Sequence, residues 1–293
     1  MLKITHISFP GLGLEEFSVN SVAFTIFGHP VAWYGIIITL GIVLATLYVL
    51  YRAKQENISG DDILDLGIYT VLFSVLGARI FFVLTSLDKF DSFWEVFEIW
   101  EGGLAIYGAI IAGAITVFVY CRIKKRSYFQ FLDMIGPAVM LGQIVGRWGN
   151  FMNGEAHGGE TDIFCRMGLR EFGEVVYYHP TFLYESLWNL IGFILINLMY
   201  KKKRYNGQVV LCYLAWYGLG RMFIEQLRTD SLYIFGAAYP SWYLKISSLL
   251  GLGCFLLFGG ILVYNAIKKT RLPTAFSAKS QEIHTNEATE DIQ

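Results

Sequence analysis

The sequence predicts an all-α, polytopic membrane protein with about seven transmembrane helices and a small extracytoplasmic cap. Only 16% of the 293 residues are charged and 55% are hydrophobic, whereas about 25% of the residues in a typical soluble domain are charged. Seven apolar segments approach the ~20 residues that an α-helix needs to cross a bilayer. Lysine and arginine are concentrated in alternate connections between these segments, and this independent pattern supports the count of seven.

The apolar segments can be followed in order along the chain. Charged residues interrupt the second segment, which contains Asp65 and Arg79, and the fourth, which contains Asp133. We expect Asp133 to be a helix-terminal or packing group, because it lies at the inner end of its segment. The seven segments cover about residues 31–51, 63–85, 103–121, 131–149, 181–200, 208–227 and 245–267.

The distribution of basic residues predicts the orientation of the chain in the membrane. The connections after the first, third, fifth and seventh segments are rich in lysine and arginine, and the connection after the second is acidic. Because basic connections stay in the cytoplasm, the N-terminus is predicted outside and the C-terminus in the cytoplasm. The basic residues are Arg52, Lys54, Arg122, Lys124, Lys125, Arg126, Lys201, Lys202, Lys203, Arg204, Lys268, Lys269 and Arg271.

Three regions follow from this arrangement. Residues 1–30 are expected to be an extracytoplasmic leader, and residues 31–272 the transmembrane domain, with a cap at about 150–180 in which Glu174–Tyr178 resembles a short strand. The polar tail, 273–293, is expected to be disordered. A net charge of −1 gives no indication of a nucleic-acid partner, and four cysteines without CxxC spacing indicate neither a metal site nor a disulfide framework.

One polar stretch of the membrane domain is Gly146–Gly158, which begins where an apolar run ends and holds Arg147, Asn150 and Glu155 among four glycines. Polar groups are costly at membrane depth, so their density there indicates a functional site. Glycines such as Gly158 allow the backbone to approach a ligand or a neighbouring segment closely.

A second polar stripe lies on the sixth segment. Tyr217, Arg221, Glu225 and Arg228 recur at intervals of four, four and three residues, so they share one helix face. Counted from the inner end, Arg221 and Glu225 lie about 18 and 24 Å along a core of ~30 Å, in the outer half. Arg221 and Glu225 also allow a simpler interpretation, a mutual ion pair that only holds the helices together.

Polar groups of six segments are expected at this outer level. Arg79 lies in the outer half of an outward-running helix, and Arg147 and Asn150 lie at the outer end of another. Tyr34 lies near the outer start of an inward-running helix, and Tyr107 lies about one turn inside the next. Clustered arginines at that depth suggest a bound anion, because unpaired positive charge is costly there. A guanidinium group can donate two parallel hydrogen bonds to a phosphate group. A phospholipid headgroup is the anion available there. Tyr34 is equally interpretable as an interfacial aromatic and Arg79 as an internal ion-pair partner.

The stretch GRWGNFMNGEAHG at 146–158 closely resembles the signature of the prolipoprotein diacylglyceryl transferase family. Further motifs resemble that family in the same order, and the resemblance covers about residues 30–270. These motifs are Trp33-Tyr34-Gly35, Gly77-Ala78-Arg79, Trp100-Glu101-Gly102-Gly103, His179-Pro180-Thr181 with Tyr184-Glu185, and Tyr217-Gly218 with Arg221, Glu225, Arg228 and Asp230. One position departs from the pattern. Tyr107 stands where many members carry a histidine that has been considered catalytic.

The resemblance implies a bacterial plasma-membrane enzyme that acts in the first step of lipoprotein maturation. Such an enzyme transfers the diacylglyceryl group of phosphatidylglycerol to the lipobox cysteine of a prolipoprotein, leaves a thioether and releases glycerol phosphate. Its partners would be phosphatidylglycerol and prolipoprotein signal peptides, and no metal or nucleotide cofactor is expected.

The same resemblance implies roles for the residues of both polar stretches. Arg147 and Arg221 are expected to hold the phosphate, and Glu225 to orient Arg221. Tyr107 or a neighbouring carboxylate would accept the thiol proton. The substrate-binding residues are expected to be Arg147, Asn150, Glu155, Gly158, Tyr34, Arg79, Tyr217 and Arg228.

Two other classes of protein remain open at this point: a lipid or solute transporter with an arginine-lined pocket, and an intramembrane receptor or scaffold. The sequence shows no internal repeat, which disfavours the transporter. A receptor or scaffold leaves the arginines of the fourth and sixth segments without a role.

Overall fold

The computed structural model describes residues 4–87, 90, 92–98, 102–171, 173–229, 231, 233 and 245–276. Three parts of the sequence predictions lie outside these residues: Trp100 with Glu101, Asp230, and the tail from 277 to 293. Seven α-helices are described, as the sequence predicted. They are α1 (Trp33–Gln55), α2 (Gly60–Thr85), α3 (Ile106–Ile123), α4 (Tyr128–Asn153), α5 (Thr181–Tyr200), α6 (Gln208–Leu227) and α7 (Ile246–Ile267).

Among the described residues, six of these helices are long and apolar enough to cross a membrane, all except α6. The polar stripe accounts for the exception, because Arg221 and Glu225 interrupt the apolar run. The helix α4 ends at Asn153, four residues beyond the predicted end at 149. Arg147 and Asn150 are therefore both helical, and the signature stretch becomes a helix end followed by a short loop.

Six strands accompany the helices. A four-stranded sheet has the order β2-β1-β5-β6, and β3 pairs with β4 in a separate hairpin. The predicted strand at Glu174–Tyr178 is confirmed as β6, and the N-terminal residues, predicted only as a leader, form the first four strands. The strands are β1 (Ile4–Phe9), β2 (Leu14–Asn20), β3 (Val22–Ile26), β4 (His29–Ala32), β5 (Met167–Glu171) and β6 (Glu174–Tyr178).

The N-terminal strands pair over a long sequence separation. Strand β1 is antiparallel to β2 and to β5, with Ile7 opposite Leu169 and Ser8 opposite Gly168. Strand β5 in turn pairs with β6, with Met167 opposite Tyr178. The sheet therefore joins the start of the chain to the segment between α4 and α5.

The chain divides into two compact units. The first comprises residues 1–48 and 133–293, and the second residues 49–132. In the first unit α6 packs closely on α7 where Gly218 faces Gly251, since a Cβ atom on either glycine would come within 2.7 Å of the other's carbonyl oxygen. In the second unit α2 packs on α3, and Ser59 accepts a hydrogen bond from the Asp61 amide to cap α2.

Candidate active site

Three helices of the first unit bring charged side chains together. Arg147 of α4 forms an ion pair with Glu185 of α5 through Nη2 and Oε2. Arg221 of α6 donates from Nη1 to the other carboxylate oxygen of Glu185, at 2.8 Å. Arg228, which follows α6, donates to that same oxygen at 3.2 Å. Glu185 is thus a single buried carboxylate on which three guanidinium groups converge.

A second carboxylate completes this group. Glu225 lies one turn after Arg221 on α6, and its Oε2 is 2.5 Å from Arg221 Nη2. The contact is an ion pair by distance, but it lacks the angles of a hydrogen bond. We call Arg147, Glu185, Arg221, Glu225 and Arg228 the arginine cluster. Its three arginines and two glutamates carry one formal positive charge in sum.

The cluster continues along α4 into the signature loop. Arg147 donates from Nη1 to Asn150 Oδ1 at 3.3 Å, and Asn150 Nδ2 donates to Glu155 Oε1 at 3.2 Å. Asn153 Nδ2 donates to the same oxygen at 3.1 Å. Two amides therefore fix one oxygen of Glu155, which is itself exposed. This chain of bonds connects Glu155 to Glu185 through Asn150 and Arg147.

The rest of the signature loop ties α5 to α6. Gly158 forms a β-bridge with Arg228 and donates its amide to the His179 carbonyl at 2.9 Å. A Cβ atom at position 158 would lie 2.7 Å from the Leu227 carbonyl oxygen and 2.7 Å from His179 Cβ. Only glycine fits there, so the close approach predicted for Gly158 is made to its own protein.

Thr181 and His179 strengthen this junction. Thr181 is fully buried at the start of α5 and donates from Oγ1 to the Ala156 carbonyl at 2.6 Å. His179 Nδ1 lies 3.3 Å from the Tyr184 hydroxyl, and burial lowers the pKa of the His179 imidazole. These bonds join the signature loop to the start of α5 and to the end of α6, next to Arg228.

The remaining predicted site residues fall in two places. Tyr34 lies over α4, because a Cβ atom at Gly149 would come within 2.9 Å of its ring, and Tyr217 is half-buried one turn before Arg221. Arg79 and Tyr107 belong to the second unit. There the Arg79 guanidinium donates to backbone carbonyls of Glu95, Val96, Gly102 and Gly103 at 2.5–3.2 Å. The predicted substrate contacts of Arg79 and Tyr107 stay predictions.

The sequence-based candidates omit Glu185, the residue with the most partners in the cluster. A signal for it is present, since an ionisable residue within a membrane helix is a functional candidate by default. Its convergence with Arg147 and Arg221 depends on how α4, α5 and α6 are rotated about their axes. Spacing within one helix does not determine that rotation.

The chemistry of the cluster suits an anion. Arg147 and Arg221 keep 22% and 16% of their side-chain surface exposed, whereas Glu185 keeps 5%. The arginine side chains are therefore more exposed than the carboxylates that they contact. Within the described ranges, no three His, Cys, Asp or Glu side chains converge in a way that would hold a metal ion.

The fold and this site together define a class: a polytopic membrane protein with a cationic site among its helices, suited to phosphate. Comparison with known proteins identifies the family. The family model for prolipoprotein diacylglyceryl transferase matches residues 21–264, and the chain belongs to this family.

Named relatives agree with this assignment. The chain is 45% identical over 225 residues to phosphatidylglycerol–prolipoprotein diacylglyceryl transferase 1 of Clostridium perfringens, covering 73% of this chain and 85% of the relative. It is 39% identical over 259 residues to the corresponding transferase of Listeria welshimeri, covering 85% and 91%. It is 38% identical over 262 residues to that of Clostridium botulinum strain Langeland, covering 86% and 99%.

Proposed function

We propose that the protein transfers the diacylglyceryl group of phosphatidylglycerol to the lipobox cysteine thiol of prolipoproteins, with glycerol phosphate as the second product. The convergence of Arg147, Arg221 and Arg228 on Glu185 is the observation that carries this proposal. The family and the names of the relatives support it. The basic connections favour an orientation in the bacterial plasma membrane with the N-terminus outside and the C-terminus in the cytoplasm.

The reaction is a displacement at carbon. The cysteine sulfur forms a bond to the glyceryl carbon, and the bond from that carbon to the phosphodiester oxygen breaks. The electron pair of this bond stays on the phosphate, so that the phosphate gains a second negative charge. The thiol proton passes to a base. A free thiol has a pKa near 8.5, so loss of this proton is part of the barrier.

The arginine cluster fits the leaving phosphate. Its charge is needed most when the carbon–oxygen bond breaks, because the phosphate then gains its second negative charge. Arg147 and Arg221 would bind the phosphate oxygens and stabilise that charge, an effect that grows when water is excluded. Glu185 and Glu225 would hold the two guanidinium planes in place before the substrate arrives, so little reorganisation is needed during the reaction.

The other residues have supporting roles in this proposal. Asn150 positions Arg147 and, with Glu155, forms a polar rim for the glycerol headgroup. Gly158 and Arg228 close the junction of α5 and α6. Tyr34 and Tyr217 contribute ring faces and hydroxyl groups to the substrate site.

Two groups are candidates for the proton acceptor. Glu155 is exposed and bonded to two neutral amides, whereas the buried glutamates Glu185 and Glu225 are engaged by arginines. Tyr107 is the other candidate, because it stands where many family members carry histidine.

The direct test uses the purified full-length protein, phosphatidylglycerol labelled in its headgroup glycerol, and a lipobox peptide. We expect labelled glycerol phosphate and lipidated peptide in equal amounts, and neither product from a peptide with serine in place of its cysteine. Absence of both products with folded protein would refute the proposed function.

A further inference from the structure

The strand β1 (Ile4–Phe9) lies before the residues 21–264 that match the family model, yet its buried side chains belong to a core that includes residues of α4 and α5. Ile7 and Phe9 are buried in a cluster with Phe182 at the start of α5. Phe151 and Met152, on the last turn of α4, pack against the same cluster. The N-terminal strand therefore lies against the ends of two helices that carry site residues.

Ring geometry shows how the strand joins these helices. The Phe9 and Phe151 ring centroids are 6.3 Å apart, and those of Phe151 and Phe182 are 4.9 Å apart. Phe151 follows Arg147 by four residues on α4, and Phe182 precedes Glu185 by three on α5. Because residues three or four apart lie on one helix face, the aromatic contact lies one turn from the ion pair of Arg147 with Glu185.

A further contact joins β1 to the signature loop. Gly154 follows α4 with a φ of +60°, and a Cβ atom there would lie 2.7 Å from Thr5 Cγ2. Thr5 is buried, so the strand closes over the turn that leads to Glu155. Pairing with β2 and β5 holds β1 itself in register.

We propose that β1 is a positioning element of the active site, with Phe9 as its principal residue. Phe9 fixes the separation of the α4 and α5 ends, and thereby the geometry in which Glu185 holds Arg147. This inference rests on the proposed function, because a displacement of about 1 Å in a phosphate clamp reduces the rate while the fold is retained.

Phe9→Ala in the full-length protein tests the inference, with Phe17→Ala as the matched control. Phe17 lies opposite Ile7 on β2 and is exposed, so its removal leaves the aromatic contact intact. We expect Phe9→Ala to lower kcat per folded molecule by about tenfold or more and to raise the KM for phosphatidylglycerol. The KM for the peptide should stay within twofold, and Phe17→Ala should resemble the wild type. Phe9→Leu, which keeps an apolar side chain, should restore most of the rate.

A measurement independent of turnover separates this inference from the proposed function. Amide hydrogen exchange at 148–153 and 182–186 should accelerate in Phe9→Ala and stay unchanged in Phe17→Ala. Unchanged exchange in Phe9→Ala, or a lower Tm with an unchanged kcat per folded molecule, would overturn the positioning role. If Phe9→Ala does not fold, Phe9→Val must lower kcat per folded molecule more than Phe9→Leu does, and wild-type kcat in Phe9→Val would overturn it. A wild-type protein that releases no glycerol phosphate would instead refute the proposed function.

Discussion

Among the described residues of the first unit, two groups of buried ion-paired side chains are built differently. At one end of α4, Asp133 and Lys203 form a pair whose side chains are both 0% exposed, with Nζ 3.0 Å from Oδ2. Asp133 also accepts hydrogen bonds from the amides of Gly207 at 2.9 Å and Val210 at 3.0 Å. Near the other end of α4, the arginine cluster joins three cations to two carboxylates and leaves Arg147 and Arg221 partly exposed.

We interpret this difference as the difference between a structural ion pair and the proposed binding site. In the Asp133 pair one cation balances one anion, and both side chains are inaccessible to a ligand because they are 0% exposed. The arginine cluster has one more cation than it has carboxylates, and Arg147 and Arg221 are more exposed than the carboxylates, so the cluster offers positive charge to an anion. On this interpretation, a buried charge does not by itself indicate a binding site. An excess of cations over carboxylates, with the cations partly exposed, does indicate one.

Replacing either of the two arginines that we propose to bind phosphate should have the largest effect. Arg147→Ala and Arg221→Ala remove a guanidinium from the leaving phosphate, and we expect each to lower kcat/KM by at least about 10²–10³-fold. The rate of labelled glycerol phosphate release per folded molecule measures the loss. A near-normal rate in either variant would remove that arginine from the phosphate role.

Glu185→Gln should have the next largest effect. Glutamine keeps the size of the side chain but removes the charge that holds three guanidinium groups together. We expect the rate to fall by about 10–100-fold, with a lower Tm from repulsion among the arginines. Glu225→Gln should cost less, because Glu225 pairs with Arg221 whereas Glu185 pairs with three arginines. Equal losses in the two variants would contradict the central place of Glu185.

Asp133→Asn should show the opposite behaviour. Breaking a buried ion pair costs about 3–5 kcal/mol, so the free energy of unfolding should fall by about that amount. The rate per folded molecule should stay within about twofold of the wild type, because the pair lies away from the cluster on α4. The double variant Asp133→Leu/Lys203→Met should recover stability, since an apolar replacement of the whole pair leaves no buried charge. A rate loss that exceeds the loss of folded protein would remove the distinction between the two groups.

These two groups also show how far the sequence predicts the site. The spacing of Arg221, Glu225 and Arg228 predicts that they share one face, and Arg147 is predicted at the same membrane depth. Four of the five cluster residues are therefore among the sequence-based candidates. Spacing does not predict Glu185, because its role depends on the rotation of α5 against α4 and α6. The N-terminal strands are not predicted for a related reason. Ile7 pairs with Leu169, and local sequence patterns give no information about pairing between residues so far apart in the chain.

The end of α4 shows the same limit on a smaller scale. The predicted end at 149 is the end of the apolar run, and the glycine and asparagine found there are poor helix formers. The structure continues the helix to Asn153, where Phe151 packs on Phe182 and Asn150 bonds to Arg147. Tertiary contacts that the local sequence does not reveal outweigh the weak propensity there.

The Tyr107→Phe variant tests whether catalysis needs the Tyr107 hydroxyl, which belongs neither to the arginine cluster nor to the Asp133–Lys203 pair. If the hydroxyl supplies one hydrogen bond of about 1 kcal/mol, the rate should fall about fivefold to tenfold. The pH dependence of glycerol phosphate release should be measured for Tyr107→Phe and for Glu155→Gln, because these two residues are the candidate proton acceptors. Full activity of Tyr107→Phe would mean that its hydroxyl is not needed and would favour Glu155 as the proton acceptor.

The smallest effect is expected at an exposed ion pair, Glu16 with Arg170, which lies outside both buried groups. Hydrogen bonding to Arg170 lowers the pKa of Glu16 from its ordinary value of 4.5. The pair therefore adds stability above that value, and the contribution disappears as the pH falls through the lowered pKa. Arg170→Gln should lower Tm slightly at neutral pH, and by less at a pH below 4.5. An equal Tm difference at both pH values would contradict this assignment.

Retention of phosphatidylglycerol tests the distinction between the two groups most directly, because it reports binding without turnover. Native mass spectrometry of protein extracted from phosphatidylglycerol-containing bilayers would count the lipid bound to each variant. We predict retention by the wild type and by Asp133→Asn, and its loss in the double variant Arg147→Gln/Arg221→Gln. Equal retention in the double variant and in Asp133→Asn would contradict the assignment of the arginine cluster as the phosphate-binding site.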